Sequence, residues 1–255
     1  MNFKQYNQLL NNIQKQAPLE SGVQALVYML LVDVFDNSDR NVLIIDNMSK
    51  KSQYLSLAGI SDVAIVKKDF VYDAELREND GIEFCIEVKA TNENLAKYDL
   101  QYLYQVLTYG KGIITNGFTW RFCDISRYIS ENADNVLDET IAYDDYSHIR
   151  DNINEALSIQ RDIKHAESSL AHTKKEEYKN DLSEYIKTET ERFDKLEKSI
   201  KSLIDQNQWI GMNIIEKSEE FHLQDENGLI DKKKYIELVK RLYDLAGEYV
   251  DIKLC

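Results

Sequence analysis

Residues 149–204 contain neither glycine nor proline, the two residues that most often interrupt regular secondary structure. Charged side chains are dense in this segment, and apolar side chains recur at helical spacing. In its later part the apolar positions alternate in steps of four and three, with Glu189 as the one polar interruption: Leu182, Ile186, Phe193, Leu196, Ile200 and Leu203. In its earlier part they recur every seven residues: Ile149, Ala156, Ile163 and Leu170. The pattern predicts two long helices.

The two apolar registers do not join in phase across residues 172–179, which leaves two arrangements open. The helices either pack on each other as a hairpin or form a coiled coil with a phase break. A coiled coil would make residues 149–204 the contact with a second copy or with another protein. In both arrangements we expect the stripe from Leu182 to Leu203 to be buried.

The composition excludes several classes of protein. Hydrophobic residues make up 43% of the 255 positions, with a single proline, so the chain can bury one or two cores. No apolar run is long enough to cross a membrane, and the N-terminal residues lack the apolar core of a signal peptide. Three widely spaced cysteines, Cys85, Cys123 and Cys255, provide neither a disulfide framework nor a zinc pair. We expect a cytoplasmic protein with no membrane contact.

Charge is distributed unevenly along the chain. Residues 1–127 contain 13 basic and 16 acidic side chains, whereas residues 128–255 contain 18 and 29, and all four histidines lie in the second half. The sequence predicts four segments: an N-terminal helix (1–18), an α/β domain (19–145), a long helical hairpin or coiled coil (146–205) and a C-terminal segment that is mostly helical (206–255). The acidic second half is better suited to protein contacts than to DNA.

The first half has the pattern of an α/β domain. Apolar residues at helical spacing predict helices at 2–16, 20–34 and 94–109. Short apolar runs between turn residues predict five strands: 41–45, 61–66, 82–90, 112–115 and 119–125. In the C-terminal segment, an apolar helical face is formed by Tyr235, Leu238, Val239, Leu242 and Leu245.

The strand predicted at 82–90 carries charge on one of its two faces. Side chains alternate along a strand, so Glu87 and Lys89 share a face with Cys85, opposite an apolar face formed by Phe84, Ile86 and Val88. A Glu-x-Lys pair on a strand is most often a solvated ion pair. The preceding strand argues for chemistry instead, because it begins at Asp62 and its carboxylate can converge on Glu87.

Two carboxylates at short range repel unless a cation separates them. Mg²⁺ binds through one or two carboxylates together with water and phosphate oxygens, and Lys89 beside the ion can stabilise charge on a phosphate. Glu20, which opens the second helix, is a candidate third carboxylate. It also fits the simpler role of an acid at the positive end of the helix dipole.

In this order, Glu20, Ser61-Asp62 and Glu87-Val88-Lys89 resemble the signature of the PD-(D/E)XK nuclease superfamily. The stretch Gln105-Val-Leu-Thr-Tyr109 resembles the Q-x-x-x-Y motif that follows this signature in the N-terminal nuclease domain of type I restriction motor subunits. The segment Gly112-Ile-Ile-Thr-Asn-Gly117, followed by Trp120, is similar to the end of that domain. The resemblance covers residues 19–127, about half of the chain.

The resemblance implies a restriction-endonuclease-like mixed sheet flanked by helices and Mg²⁺-dependent hydrolysis of DNA, with Mn²⁺ as a substitute. Asp62 and Glu87 are the implied metal ligands. Lys89 is the implied catalytic lysine, and Glu20 the acid that assists metal or water. Gln105 and Tyr109 lie one helical turn apart, so they share a face, and the resemblance implies that this face lies near the active site and the DNA backbone.

Departures from the family pattern limit what the resemblance implies. Ser61 replaces the proline of the motif name, and the chain has no P-loop, so no ATPase motor is built in. Phosphate contacts need basic side chains, and the candidates among the 13 basic residues of the α/β half are Lys50, Lys51, Lys67, Lys68, Lys111 and Arg121. We expect weak intrinsic affinity for DNA. The sequence supports an endonuclease of a restriction or defence system or a mobile element, or alternatively a catalytically silent nuclease fold that acts as an acidic interaction or regulatory protein.

Overall fold

A computed structural model describes residues 1–45, 55–71, 81–132, 139–207, 209–210 and 212–247. The helices are α1 (Phe3–Gln16), α2 (Glu20–Phe35), α3 (Asp99–Tyr109), α4 (Ile125–Asn132), α5 (Glu139–His172), α6 (Glu176–Gln206), α7 (Met212–Glu216) and α8 (Lys232–Ala246), with a short 3-10 helix at Leu95–Tyr98. The strands are β1 (Arg40–Ile44), β2 (Leu55–Ser56), β3 (Gly59–Ile60), β4 (Val63–Lys67), β5 (Ile82–Val88), β6 (Lys111–Thr115), β7 (Thr119–Asp124) and β8 (Glu219–His222).

Six of the strands form one mixed sheet in the order β1-β4-β5-β6-β7-β8. Strands β5 and β6 pair in parallel, with α3 as the crossover between them, and the other neighbours are antiparallel. The fold is therefore α/β, with a mixed sheet flanked by helices and followed by a long helical region. The five predicted strands are all present, within one or two residues of their expected ends in most cases.

Helices cover both faces of the sheet. On one face, α1, α2 and α8 pack on a core that includes Ile86, Trp120 and Leu238. On the other face, α3, α5 and α7 enclose a second core that includes Leu107, Ile114 and Ile153. Because both faces are covered, the polar face of β5 is buried as well. The solvated ion pair that is usual for a Glu-x-Lys sequence is therefore not present on this strand: Glu87 and Lys89 are both buried.

The turn between β6 and β7 contacts the N-terminal helix α1. Gly117 has φ +86°, a conformation that L side chains rarely adopt, and a Cβ there would lie 2.7 Å from Leu10 Cδ1. Its carbonyl accepts a hydrogen bond of 2.6 Å from the Tyr6 hydroxyl. Asn116 closes the turn through its side-chain oxygen, which accepts from the backbone N–H groups of Phe118 and Thr119.

Helices α5 and α6 form an antiparallel hairpin that turns at residues 173–175. An ion pair of 2.6 Å joins Arg192 on α6 to Glu155 on α5. The expectation of a buried stripe on α6 is only partly met. Ile200 is buried and Phe193 packs at the edge of the second core, whereas other members of the stripe, Leu182 and Ile186 among them, are half-exposed.

The C-terminal segment is less helical than its sequence indicates. Strand β8 pairs with β7 at the edge of the sheet, and α8 follows it with Asp231 as its N-cap. Tyr235, Leu238 and Leu242 are buried against α1 and α2, as the apolar face of this helix predicts. Within the described ranges, no helix combines the length and apolar character that a membrane span requires. Cys255, Lys50 and Lys51 lie outside those ranges.

Candidate functional site

The site is built where β4 begins and β5 ends. Val63 on β4 pairs with Ile86 on β5, so Asp62, one residue earlier, comes beside Glu87. The Asp62 Oδ2 atom accepts a hydrogen bond of 2.7 Å from the backbone N–H of Val88. Asp62 is 6% exposed and Glu87 is 4% exposed. The structure thus brings together the two carboxylates that the sequence placed on neighbouring strands.

Three side chains donate hydrogen bonds to the Glu87 carboxylate. Its Oε1 atom accepts from Lys89 Nζ at 2.5 Å and from Gln101 Nε2 at 2.7 Å. Its Oε2 atom accepts from Gln105 Nε2 at 2.7 Å. Both glutamines come from α3, which crosses this end of β5 on the way to β6. These donors compensate the loss of water around a buried carboxylate.

Lys89 is enclosed by groups that favour its charge. Besides the contact with Glu87, its Nζ atom lies 4.0 Å from Glu20 Oε2 and 4.6 Å from the centre of the Tyr98 ring. Burial alone lowers the pKa of Lys89, but the negative charge of Glu87 and the hydrogen bond to it outweigh burial, so the pKa is raised overall. Lys89 is therefore a cation at neutral pH.

Glu20 is the exposed member of the group. It occupies the first turn of α2, where its charge also meets the positive end of the helix dipole, and its side chain is 49% exposed. One turn further along α2, Gln24 Nε2 donates to the backbone carbonyl of Asp62 at 3.1 Å. The N-terminal half of α2 thus contacts the β4 side of the site, and Glu20 lies at its edge toward solvent.

The pKa of Asp62 reflects its surroundings. Burial, and next the negative charge of Glu87, raise this pKa from 3.8 to about 7, although the hydrogen bond from Val88 opposes the shift. Near neutral pH the carboxyl group is divided between its protonated and ionised forms. A cation between Asp62 and Glu87 would favour the ionised form and displace the proton.

The two residues of the Q-x-x-x-Y match have different surroundings. Gln105 is fully buried and contacts Glu87 directly. Tyr109, one turn later, is 7% exposed and packs in a small cluster with Cys85 and Ala64. Burial raises the pKa of the Cys85 thiol to about 12, and a hydrogen bond with Tyr109 opposes this shift. Gln105 thus contacts the carboxylate cluster, whereas Tyr109 packs the end of α3 against β4 and β5.

The donor set is suited to a hard divalent cation, but the site is not a preformed cage. Among the described residues, no group of three acidic, histidine or cysteine side chains is close enough to hold a metal ion. Glu87 has three donors, and a carboxylate has about four acceptor positions, so one position remains. The Gln105 Oε1 atom is buried without a hydrogen-bond partner in the described structure, as expected of an acceptor for bound water. Asp62 and Glu87 supply two carboxylates, and a hydrated Mg²⁺ ion usually takes one or two carboxylates from a protein.

Besides Lys89, the candidate phosphate-binding side chains that the structure describes are either paired with acids or remote from Asp62. Lys111 pairs with Asp124 at 3.2 Å, and Arg121 pairs with Asp99 at 2.5 Å. Their charges are largely neutralised within the protein. Lys67 and Lys68, at the opposite end of β4 from Asp62, are exposed. Weak intrinsic affinity for DNA stays a prediction.

Sequence reasoning missed three side chains of the site: Gln24, Tyr98 and Gln101. Gln24 and Gln101 each lie four residues from a residue that was named, Glu20 and Gln105 respectively. Side chains at that spacing share a helix face, so this spacing was an available signal. Tyr98, in the 3-10 helix before α3, lies three residues before Gln101, so the same helical spacing applied to it.

Comparison with protein-family models, with curated proteins and with solved structures found no match for this chain. The cluster of Asp62, Glu87 and Lys89 is consequently interpreted from its own geometry and chemistry.

Proposed function

We propose that this protein is a Mg²⁺-dependent DNA endonuclease of the PD-(D/E)XK type, with a restriction-endonuclease-like fold and no ATPase motor of its own. The observation that carries the proposal is the convergence of Asp62, Glu87 and Lys89 in a buried site with Glu20 at its edge. Three segments far apart in the sequence supply these groups. The proposed setting is restriction, defence or a mobile element, and the proposed compartment is the cytoplasm.

In this proposal Asp62 and Glu87 hold Mg²⁺, which supplies a Lewis acid for the phosphate and lowers the pKa of bound water. Lys89 remains charged and faces the phosphate oxygens on which negative charge develops. Glu20, at the solvent edge, orients water. Gln105 holds Glu87 through its Nε2 atom and offers Oε1 as an acceptor for that water. Mn²⁺ has the same preference for oxygen ligands and is expected to replace Mg²⁺.

The test is plasmid cleavage with Mg²⁺ or Mn²⁺, comparing Glu87→Gln with Glu83→Gln. Both glutamates lie on β5, but Glu83 lies at the other end and pairs with Arg40 at 3.6 Å. We expect Glu87→Gln to reduce metal-dependent cleavage to background and Glu83→Gln to leave it unchanged. Asp62→Asn provides a second variant with the same expected loss. Cleavage by Glu87→Gln at the wild-type rate would refute the proposal.

The second candidate is a catalytically silent nuclease fold that acts as an interaction protein. The observation that favours it is that Lys89 already neutralises Glu87 without a metal ion. In that case Mg²⁺ binds neither wild type nor variants, and purified protein does not cleave plasmid. Calorimetric titration of wild-type protein with Mn²⁺ separates the two candidates before any DNA is added.

A further inference from the structure

Two glutamines hold one carboxylate from the same helix face. Gln101 and Gln105 lie one turn apart on α3, and their Nε2 atoms donate to different oxygens of Glu87, each at 2.7 Å. The terminal torsion of a glutamate side chain is broad and weakly restricted. Two donors on two oxygens remove that freedom, because turning the carboxylate would break at least one of the bonds.

The helix that carries these glutamines is itself held in place. Asp99, in its first turn, pairs with Arg121 on β7 at 2.5 Å. The Tyr102 hydroxyl donates toward the backbone carbonyls of Gly112 and Arg121 at 3.0 and 3.2 Å. These contacts tie α3 to β6 and β7, so the amide groups approach Glu87 from a rigid element.

Gln101 shares the Oε1 atom of Glu87 with Lys89. The lysine side chain is long and its ammonium donors rotate freely, and Glu20 and Tyr98 offer Nζ alternative neighbours within 4.0 and 4.6 Å. If Lys89 turned toward a phosphate, Oε1 would lose its charged donor. Gln101 would then remain as the donor on that oxygen.

We propose that Gln101 is a positioning residue that, together with Gln105, fixes the plane of the Glu87 carboxylate so that Lys89 can leave it without the carboxylate turning. This inference rests on the proposed function, because it assigns Glu87 to a metal ion and Lys89 to a phosphate. A neutral amide is suited to the task. It donates a hydrogen bond without cancelling the negative charge that a cation needs.

The first measurement is calorimetric titration of the metal-free protein with Mn²⁺ alone, comparing wild type with Gln101→Met. Methionine keeps the length of the side chain and removes the donor. Gln224→Met is the matched control, because Gln224 also donates one side-chain hydrogen bond, to Gly228 O at 3.1 Å, outside the site. We expect Gln101→Met to weaken Mn²⁺ binding 10- to 100-fold, the usual effect of losing a hydrogen bond to a metal ligand, and Gln224→Met to leave it unchanged.

The melting temperature in EDTA separates positioning from a purely structural role. We expect Gln101→Met and Gln224→Met to melt within a few degrees of each other, as single exposed or half-buried hydrogen bonds contribute about 1 kcal/mol. A Gln101→Met protein that is folded and binds Mn²⁺ as tightly as wild type overturns the proposal.

A second measurement does not depend on metal at all. In the nuclear magnetic resonance spectrum of the metal-free protein, the side-chain amide signals of Gln101 and Gln105 should both shift in Glu87→Gln, because both amides donate to that carboxylate. A Gln101 signal that does not move overturns the contact itself. If both signals move but wild-type protein binds no Mn²⁺, the contact stands, whereas the positioning of a metal ligand and the proposed nuclease function are both refuted.

Discussion

Glu87 Oε1 on β5 and Nζ of Lys89, the residue that follows this strand, lie 2.5 Å apart, and both residues are more than nine-tenths buried. Each of these charges would be unfavourable in that position without the other, because burial removes the water that stabilises it. The pair therefore links the stability of the metal-free protein to the groups that we propose for catalysis.

Replacing Lys89 by methionine tests this link. We expect Lys89→Met to lower the cleavage rate by about 10²–10³, the effect of removing one preorganised donor. In EDTA the variant should also be less stable than wild type, because Glu87 keeps its charge and loses its ammonium partner. The destabilisation should be smaller than the roughly 3–5 kcal/mol of a broken buried pair, since Gln101 and Gln105 still donate to Glu87. Urea unfolding with and without Mg²⁺ measures it.

The matched control is Lys97→Met, which removes a lysine whose side chain is 67% exposed and paired only across one helical turn with Glu93. Its stability and cleavage should be those of wild type. If Lys89→Met cleaves DNA at the wild-type rate, Lys89 has no catalytic role. If Mg²⁺ does not restore part of the stability that Lys89→Met loses, the cation does not compensate the charge of Glu87.

The pKa of Asp62 predicts a specific pH dependence for the metal-free protein. Its pKa is about 7 in the folded chain against an ordinary value of 3.8, so the folded state holds a proton that the unfolded state releases. This contribution to stability is complete below about pH 4. It declines as pH rises toward 7 and is absent above that.

The measurement is the free energy of unfolding in EDTA from pH 4 to pH 8.5, for wild type and Asp62→Asn. Subtracting the variant's curve from that of wild type cancels the other carboxylates. We expect the difference to fall with rising pH and to level off above about pH 7. A difference that rises over this range would show that Asp62 is instead stabilised in its ionised form.

The helical hairpin predicts the oligomeric state. Phe193 and Ile200 on α6 belong to the core shared with α3 and α5, so the C-terminal part of the stripe that could have joined two chains packs within one. We expect a monomer by light scattering at micromolar concentration. Phe193→Glu should lower the melting temperature without changing the molecular mass, whereas Tyr178→Glu, at a position 51% exposed, should change neither. A wild-type dimer that dissociates in Phe193→Glu would refute this assignment.

The turn at Gly117 provides a test of the packing that supports the site. Gly117→Ala incurs both an unfavourable φ and an overlap with Leu10, whereas Gly228, with φ +76°, has its nearest neighbour 4.0 Å away. Gly228→Ala therefore measures the backbone effect alone, about 1 kcal/mol. We expect Gly117→Ala to be more destabilising by a further 1–3 kcal/mol, typical of overpacking. Equal losses in the two variants would mean that Leu10 moves aside at no cost.

The sequence predicted the central strands well, because each carries an uninterrupted apolar face. Strand β8 was not predicted. Its four residues, Glu219–His222, are mostly polar and half-exposed at the sheet edge, so nothing in their composition distinguishes them from a loop. The sequence also did not predict that the site is buried. Alternation along β5 separated Glu87 from Phe84, but only the packing of α3 shows that both faces are buried.

The residues of the site likewise divide into those that the sequence could predict and those that it could not. Asp62, Glu87 and Lys89 were predictable because strand periodicity and register suffice to place them. Helical spacing places Gln101 on the same face as Gln105. Its contact with Glu87 was not predictable, because a helical period does not specify which strand that face meets.

The position of β8 has a consequence for the order in which the protein is made. Thr119 on β7 lies opposite His222 on β8, 103 residues later in the chain, and the hydroxyl of Tyr235 on α8 donates to the carbonyl of Met1. During synthesis, α1, α2 and β1 to β7 leave the ribosome long before β8 and α8 exist. One edge of the sheet and part of the Trp120 core stay exposed until the hairpin, and after it β8 and α8, have been translated. A nascent chain halted before residue 219 would be a natural client for chaperones that bind apolar surface.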